Sequence, residues 1–458
     1  MYSHADTIAA IITPAGIGGI SIIRISGKNA LQTANAFFRG ADLMSVLPQT
    51  IHHGNIVDFS EDVIDETLVS VFHGPKSYTG EDIVEISCHG NPIITNSILE
   101  LMLQSGARLA EPGEFTLRAF INKKIDLTQA EAVADIISAG SQSAIRVSNQ
   151  HLRGLLKNKI ENIIEKLLNA ASLIELELDF VEEGIQLIDS EKLKKILSET
   201  HNIVLELLNT FKNGRLYTQG AKISLIGKPN AGKSSLLNAL ISDDRVIVSP
   251  IAGTTRDVIE GSIVYEGIRL FFYDTAGVRE ETEGIESLGI DRTFEQIKTS
   301  DLILVVIDIS TDRYTEDIDY CTEIIKKLRF TSEIPVIYVL NKCDLVIEKN
   351  IKNPEESIVT SAKNGIGLER LKKVVKHELI AEIEFNGSEV ILTNQRHYNC
   401  ILLAEKAIGQ AFDSVGKFSI EFTAIEIRNA IDYFGEIIGK VTSQEIINSI
   451  FANFCIGK

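Results

Sequence analysis

A glycine-rich loop between a short apolar run and a helix-forming segment limits the folds open to this chain more than any other feature. Residues 227–234 are GKPNAGKS, with KISLI immediately before them and SLLNALI immediately after. This pattern between a strand and a helix predicts a P-loop, whose backbone N–H groups bind phosphate. Lys233 is suited to neutralise the outer phosphates, and the Ser234 hydroxyl to bind Mg²⁺. The other contacts expected from the loop are Asn230, Ala231, Gly232 and Ser235.

Three further motifs, each at the end of an apolar run, indicate which nucleotide is bound. DTAG (274–277) places Asp274 near the metal and the Gly277 N–H near the γ-phosphate. In NKCD (341–344) the Asp344 carboxylate can accept from guanine N1–H and the 2-amino group, which adenine lacks. The third motif is SAK (361–363), suited to contact the guanine carbonyl oxygen. The predicted contacts are Asp274, Thr275, Ala276, Gly277, Asn341, Lys342, Asp344, Ser361, Ala362 and Lys363.

The four motifs predict GTP binding only when they are taken as a set. Any one of them alone is typical of an ordinary turn between a strand and a helix. Four in this order, each at a strand end, predict GTP binding.

The composition is that of a soluble globular protein with an excess of acidic groups. The 458 residues are 44% hydrophobic, and 45 basic against 63 acidic residues give a net charge of −18. This length favours two or three domains. Because phosphate neutralisation supplies most of the affinity for nucleic acid, we expect that if a nucleic acid is the substrate, a basic partner holds much of it.

The cysteines and the first apolar stretch indicate the compartment. The five cysteines are scattered, without a Cys-x-x-Cys pair, which favours a reducing cytoplasm over a disulfide framework or a zinc site. The stretch IAAIITPAGIGGISII is interrupted by Pro, Gly, Thr and Ser, and no basic residue precedes it. It therefore predicts a strand and a turn, not a secretion signal or a membrane helix.

Three segments of different pattern predict the domain organisation. Residues 1–122 mix short β-rich runs with Gly/Pro turns, an α+β pattern. Helical periodicity covers 123–217 and returns over 382–458. Between them, over 218–381, apolar runs alternate with helical segments, as parallel strands with crossover helices require. We predict a multi-domain α/β and α protein in which a P-loop α/β domain is inserted into a discontinuous helical domain.

Two helices of the predicted helical domain can be located from the sequence. In the first, Leu152, Leu156, Ile160, Ile163 and Leu167 recur at helical spacing. A second helix, over SEKLKKILSETHNIVLELLNTF, is expected to end near Asn213-Gly214, because Asn-Gly is a common stop signal.

The loop SPIAGTTRD (249–257) is expected to sense the γ-phosphate, with Thr254 and Thr255 as candidate ligands. With this loop and the PNAGKSSLLN segment, the chain resembles the TrmE–Era–EngA group of translation-associated GTPases. The resemblance implies that Thr255, with Ser234, binds Mg²⁺. It also implies a K⁺ site formed by Asn230, Ser249, Ile251 and Thr254. Alternatively, Asn230 only shapes the P-loop.

The residue after DTAG raises the question of how water is activated. Many GTP-hydrolysing switches carry a glutamine there that orients the attacking water, whereas this chain has Val278, without donor or acceptor. By resemblance to the TrmE members, the orienting residue is Glu286 in GIESLGI. Spacing alone would not choose it over Glu280, Glu281 or Glu283.

Over nearly its full length the chain resembles the MnmE (TrmE) family of tRNA modification GTPases. The resemblance is carried by DTIAAIITPAGIGGISIIRISG, YTGEDIVEISCHGNP, PGEFTLRAFINKKIDLTQAEA and the final FCIGK. It implies a cytoplasmic homodimer joined through an amino-terminal domain that binds 5,10-methylenetetrahydrofolate or 5-formyltetrahydrofolate. It further implies a heterotetramer with the flavin-dependent protein MnmG. The two proteins together would modify carbon 5 of the wobble uridine of certain tRNAs. The implied folate contacts are Arg24, Glu85, Lys124 and Lys458.

Two alternatives remain open. Cys455 is either a small apolar residue that docks the tail or a thiol taking part in the modification chemistry. The chain as a whole could instead be a GTP-timed binding switch in ribosome assembly, without modification chemistry of its own. The amino-terminal signatures and CIGK favour the modification enzyme.

Overall fold

The computed structural model describes residues 6–180, 190–243, 261–274, 297–329, 334–346, 354, 357–380, 390–452, 454 and 456–457. The chain divides into two compact units. The first comprises residues 1–134, 151–197 and 406–458, and the second comprises 135–150 and 198–405. The three-domain boundaries drawn from the sequence remain a prediction.

The first unit is built on a mainly antiparallel sheet that follows from alternating sequences such as TLVSVF. Its strands are β1 (Ile8–Ile11), β2 (Ile20–Ser26), β3 (Phe38–Arg39), β4 (Thr50–Val57), β5 (Val63–Phe72), β6 (Ile83–His89) and β7 (Arg108–Leu109). They lie in the order β3-β4-β5-β6-β2-β1-β7, with only the β1–β7 pair parallel. One face is buried and the other is partly open, as period-2 alternation predicts.

The second unit contains the predicted α/β block. Its strands are β8 (Ala221–Ile226), β9 (Gly261–Tyr265), β10 (Ile268–Asp274), β11 (Leu302–Asp308), β12 (Val336–Asn341) and β13 (Ser357–Val359). Their order is β13-β12-β11-β8-β10-β9, parallel except for the edge strand β9. Apolar side chains cover both faces of this sheet, which explains the unbroken apolar runs in its strands. The fold class predicted from the sequence is confirmed.

The helices accompany both sheets. They are α1 (Ala30–Asn35), α2 (Pro92–Gln104), α3 (Glu114–Ile121), α4 (Leu127–Ser138), α5 (Gln142–Leu152), α6 (Leu155–Phe180), α7 (Ser190–Asn209), α8 (Phe211–Gln219), α9 (Lys233–Asp243), α10 (Tyr314–Arg329), α11 (Leu368–Leu379), α12 (Gln395–Ser414), α13 (Ile420–Ile438) and α14 (Gln444–Ala452). Within α6, Leu156, Ile160, Ile163 and Leu167 are fully buried, as the helical periodicity predicts. Leu152, predicted for the same helix, instead ends α5 and is half-buried, because the chain turns at Gly154, whose φ is 81°. Among the residues that the structure describes, no helix is long and apolar enough to cross a membrane.

The helix end expected at Asn213-Gly214 is wrong. Helix α7 ends at Asn209, and α8 runs from Phe211 to Gln219, through both residues. A Cβ atom on Gly214 would lie 2.0 Å from the carbonyl oxygen of Leu392. Glycine is therefore needed here for close packing of α8 against the segment before α12, and not as a stop signal.

A charged cluster ties helix α3 to the strand connections of the first unit. The buried guanidinium of Arg118 donates to Asp6 at 2.7 Å, to Glu114 at 2.9 Å and to Glu81 at 3.2 Å. Glu81 also accepts from Ser26 Oγ at 2.8 Å. A buried cation that is paired on several sides is strongly held in place, so the loop before β6, which carries Tyr78, is fixed beside β2.

Candidate nucleotide-binding site

The P-loop connects buried strand β8 to helix α9, as the sequence predicts. Its turn is closed by the Ala231 N–H, which donates to the Lys228 carbonyl oxygen at 3.2 Å. Asn230 and Gly232 both have positive φ, 63° and 93° respectively. Such a conformation turns successive N–H groups towards one side of a loop, which is the arrangement that binds phosphate oxygens.

Lys233 lies at the first turn of α9 and is buried. Its ammonium donates to the carbonyl oxygens of Gly227 at 2.8 Å and Lys228 at 3.2 Å. These acceptors are neutral, so an anionic phosphate oxygen would be a stronger partner for the same ammonium. Ser234 and Ser235 follow in the same helical turn.

A cavity of about 350 Å³ opens beside this loop. Its lining combines residues of the P-loop, NKCD and SAK segments: Gly232, Ser235, Asn341, Lys342, Asp344, Leu345, Ala362 and Lys363. The structure therefore brings together three motifs that are far apart in the sequence. They meet because β8, β12 and β13 are strands of one parallel sheet, whose carboxyl ends share an edge.

Asn341 connects the three segments. Its Nδ2 donates to the Ala231 carbonyl oxygen at 3.1 Å, and its Oδ1 accepts from the Ala362 N–H at 3.1 Å. Ser361 Oγ donates to Asp344 Oδ1 at 2.6 Å. The Asp344 carboxylate is thus oriented at the cavity wall, where it can accept hydrogen bonds from a ligand.

Several residues predicted for this site are only partly covered by the structure. Asp274 ends β10 and pairs with Leu225 of β8, which places its backbone at the sheet edge. Its side chain lies outside the description. Also outside the described residues are Ser249, Ile251, Thr254, Thr255, Thr275, Ala276, Gly277, Val278 and Glu286.

One contributor was missed by sequence reasoning. Asp308 ends β11, beside Asn341 of β12, and its Oδ2 accepts from the Lys342 ammonium at 2.6 Å. Although partial burial opposes ionisation, hydrogen bonds from Lys342 and Ser310 hold the pKa of Asp308 below its ordinary value. The available signal was an acidic residue closing the apolar run LILVVI at the edge where the other motifs lie.

The first unit brings together a second set of predicted residues. Arg24 of β2 donates from Nε to Glu85 of β6 at 2.8 Å. Its guanidinium lies 5.3 Å from the ring centre of Tyr78 and 5.4 Å from that of Phe115. Burial raises the pKa of Tyr78, whose hydroxyl hydrogen-bonds to the Thr116 hydroxyl at 2.8 Å. The position of the Tyr78 and Phe115 rings beside Arg24 was not predicted from the sequence.

Lys124 and the carboxyl-terminal tail complete what is described of this set. Lys124 Nζ donates to the Pro75 carbonyl oxygen at 2.8 Å, on the loop that carries Tyr78. Phe454 is buried, and a Cβ atom on Gly457 would lie 2.5 Å from the Ile11 carbonyl oxygen, so the tail packs against β1. Cys455 and Lys458 lie outside the described residues.

Comparison with known proteins agrees with this picture. Two family models match: "GTP-binding protein TrmE N-terminus" over residues 7–124 and "MnmE helical domain" over residues 127–455. A tRNA modification GTPase MnmE of Christiangramia forsetii is 40% identical, covering 99% of each chain. That of Flavobacterium psychrophilum is 42% identical, covering 99% of this chain and 100% of the relative.

Solved structures give a more distant likeness. The FeoB G-domain from Methanococcus jannaschii is 25% identical over 35% of this chain and 97% of its own, with a TM-score of 0.26.

The parallel sheet, the P-loop and the cavity formed with NKCD and SAK define a P-loop GTPase. The two family models and the full-length relatives then decide which kind. The chain belongs to the MnmE family of tRNA modification GTPases.

Replacing Gly232 tests whether the cavity depends on the close approach of the P-loop to Asn341. In Gly232→Ala the added Cβ would lie 2.3 Å from Asn341 Nδ2, at a φ that alanine rarely adopts. We expect guanine-nucleotide affinity to fall at least about tenfold, because the loop must shift and the bond to Ala231 is lost. Titration with a fluorescent GDP analogue measures this.

The control is Gly416→Ala, which also replaces a glycine of positive φ but meets nothing within 4 Å. It should bind GDP like the wild type. Unchanged affinity in Gly232→Ala would contradict the described geometry.

Proposed function

We propose that this chain hydrolyses GTP in order to modify carbon 5 of the wobble uridine of certain tRNAs. With a flavin-dependent MnmG partner, it would add an aminomethyl or carboxymethylaminomethyl group from a tetrahydrofolate one-carbon donor. The family membership of the whole chain carries the proposal. The described cavity, with Asp344 held by Ser361, supports its nucleotide half.

Selection of guanine follows from the chemistry of Asp344. A carboxylate accepts hydrogen bonds but donates none, so it matches guanine, which presents N1–H and a 2-amino group on one edge. Adenine has an unprotonated N1 there, so the carboxylate would receive no N1–H hydrogen bond from the base in addition to the hydrogen bond that Ser361 already donates. Ala362 and Lys363, next to the cavity, are proposed to contact the guanine carbonyl oxygen.

The phosphate end fits Mg²⁺-GTP. The loop curves its N–H groups around the position that Lys233 borders, and Ser234 supplies a hydroxyl in the first turn of α9. We propose Ser234 and Thr255 as the Mg²⁺ ligands, with Asp274 near the metal. Bound Mg²⁺ would neutralise charge on the β- and γ-phosphate oxygens.

We propose that K⁺ and Glu286 together replace the missing glutamine at Val278. The K⁺ ligands would be Asn230, Ser249, Ile251 and Thr254. Asn230 has a positive φ, a conformation that asparagine adopts more readily than most residues, and this is compatible with a ligand role and with a purely structural one. A bound cation would add positive charge where negative charge develops, and Glu286 would orient the water.

GTP turnover in different salts tests this pair. The wild type should hydrolyse GTP at least about tenfold faster in KCl than in NaCl of equal ionic strength, because preorganised positive charge stabilises the transition state. Glu286→Ala should lose about a hundredfold in kcat, whereas Glu283→Ala, from the same segment, should not. Equal rates in both salts would remove the cation from the mechanism, and a fast Glu286→Ala would remove the glutamate.

The surroundings of Arg24 fit a folate. The pterin ring carries amide and amino donors for Glu85, and the glutamyl tail carries carboxylates for cations such as Arg24, Lys124 and Lys458. The Arg24–Glu85 contact is exchangeable, since such a ligand would replace one charge-assisted hydrogen bond by several. Tyr78 and Phe115 keep the guanidinium in place, and Tyr78, which is only partly buried, offers flat apolar surface near it.

The homodimer would form through the outer face of the first sheet. Ile20, Ile51 and Leu68 are exposed on that face, although strands usually present polar residues to water. By the strand registers, Arg24 and Glu85 lie on the same face. A second copy covering this face would therefore bury the apolar residues and lie close to the proposed folate site.

Folate binding can be measured directly. Calorimetric titration with 5-formyltetrahydrofolate should saturate the wild type, and Arg24→Met should bind at least about tenfold more weakly because a charge-assisted contact is lost. Arg39→Met is the matched control, since Arg39 of the edge strand β3 forms an exposed ion pair with Glu61. Light scattering on the same samples should give twice the 50.4 kDa of one chain, and a monomer would contradict the dimer.

The tRNA and MnmG parts of the proposal rest on the family and on charge. With a net charge of −18, the chain needs a partner of opposite sign to hold tRNA, and a heterotetramer with MnmG would supply it. The proposed location is the cytoplasm. The competing function is a GTP-timed switch in ribosome assembly.

Profiling of modified nucleosides separates the two functions. In tRNA from cells lacking the chain, 5-substituted uridines should disappear, and they should return with the wild type but not with Lys233→Ala, which cannot hold the phosphates. Mass spectrometry of digested tRNA measures this. A profile that never changes would favour the assembly switch.

A Cys455→Ser arm in the same experiment decides the role of the thiol. Serine keeps the small size, so loss of the modified uridines would assign the thiol to the chemistry. Full rescue would leave Cys455 as a docking residue of the tail.

A further inference from the structure

Lys342 has an unusual backbone conformation for its side chain. It is a non-glycine residue with φ of 66°, in the left-handed region, between Asn341 at the end of β12 and a short 3₁₀ turn over Cys343–Leu345. Long side chains rarely adopt this conformation, and where they do the surroundings hold them there. Such positions cluster at binding sites, so the contacts of the Lys342 side chain are informative.

The ammonium of Lys342 is held by Asp308. Because β11 and β12 are parallel neighbours with Asp308 opposite Asn341, the two strand ends place the carboxylate beside the next residue. Nζ donates to Oδ2 at 2.6 Å, a short charge-assisted contact.

Asp308 is itself fixed. Its Oδ1 accepts from the Ser310 N–H at 2.9 Å and from the Ser310 hydroxyl at 2.6 Å. Both carboxylate oxygens therefore have partners, and the group is a fixed anchor for the ammonium, unlike a mobile surface acid.

The stem of Lys342 borders both the P-loop and the cavity. Its Cε lies 3.8 Å from where a Cβ on Gly232 would be, so the chain of methylenes passes over that glycine. Among the described residues that line the cavity are Lys342 and Asp344, while Asp308 is not one of them. Asp308 thus lies outside the cavity lining, whereas Lys342, whose ammonium it holds, is part of that lining.

We propose that Asp308 is a positioning residue for the guanine nucleotide, acting through Lys342. By holding the ammonium, it stretches Lys342 across Gly232 so that the apolar stem forms a preset wall against the purine. Without the anchor, the flexible side chain would have to be ordered by the nucleotide at each binding event, which lowers affinity. The proposal rests on the assignment of the cavity to GTP and adds a residue to it.

A double-mutant cycle tests this proposal on the full-length protein. Asp308→Asn keeps the size and the contacts to Ser310 but weakens the hold on Lys342, and Lys342→Met keeps the stem without the ammonium. Each should raise the Kd for GDP and the KM for GTP about tenfold. The kcat at saturating GTP should change less than threefold, since the chemistry lies at the phosphates.

The decisive comparison is the double variant. If Asp308 acts through Lys342, Asp308→Asn should have no further effect in the Lys342→Met background. Additive losses would overturn the proposal, and so would wild-type affinity in Asp308→Asn. Glu323→Gln, which removes one exposed charge from α10 in the same unit, should leave the Kd unchanged.

A charge-conserving variant separates this role from a merely structural one. Asp308→Glu keeps the charge and should recover affinity to within about threefold of the wild type, whereas a fold that depends on the shape of Asp308 would not be rescued. Failure of the wild type to bind GDP would contradict the proposed function itself, and not the role of Asp308 within it.

Discussion

The hydrogen bond from Asn341 Nδ2 to the Ala231 carbonyl oxygen holds the nucleotide cavity together. It joins residues 110 positions apart, and the same side chain accepts from the Ala362 N–H, so one amide holds the P-loop, NKCD and SAK segments in register. The contact is possible only because Gly232 has no Cβ atom, since one would lie 2.3 Å from the amide nitrogen. The cavity depends on this approach, because Gly232 and Asn341 both belong to its lining.

Much of this site could be predicted from the sequence, for a physical reason. Each motif follows an apolar strand, and parallel strands with crossover helices bring their carboxyl ends to one edge. The contacts that escaped prediction run between segments with no shared local pattern. Nothing near Asp308 in the sequence indicates Lys342, and nothing near Arg24 indicates the rings of Tyr78 and Phe115. The misplaced helix end at Gly214 has the same origin, because the local Asn-Gly signal was overridden by close packing against Leu392.

The described part of the carboxyl-terminal tail is packed against residues from the first third of the chain. Chain ends usually fray, yet Phe454 joins a buried cluster with Leu117 and Leu127, and Gly457 packs on the backbone of Ile11. Strand β1 pairs with β2, where Ala10 lies opposite Arg24. The described end of the tail therefore lies against the strand that pairs with the one carrying Arg24.

Lys233 of the P-loop and Lys342 of the cavity wall are both held by hydrogen bonds to oxygen atoms. Lys233 donates to two carbonyl oxygens of its own loop, which are weaker acceptors than a phosphate. Lys342 is held by a carboxylate that Ser310 fixes in turn, and a nucleotide base offers no anion to compete for its ammonium. Lys342 is thereby held in place as part of the cavity wall.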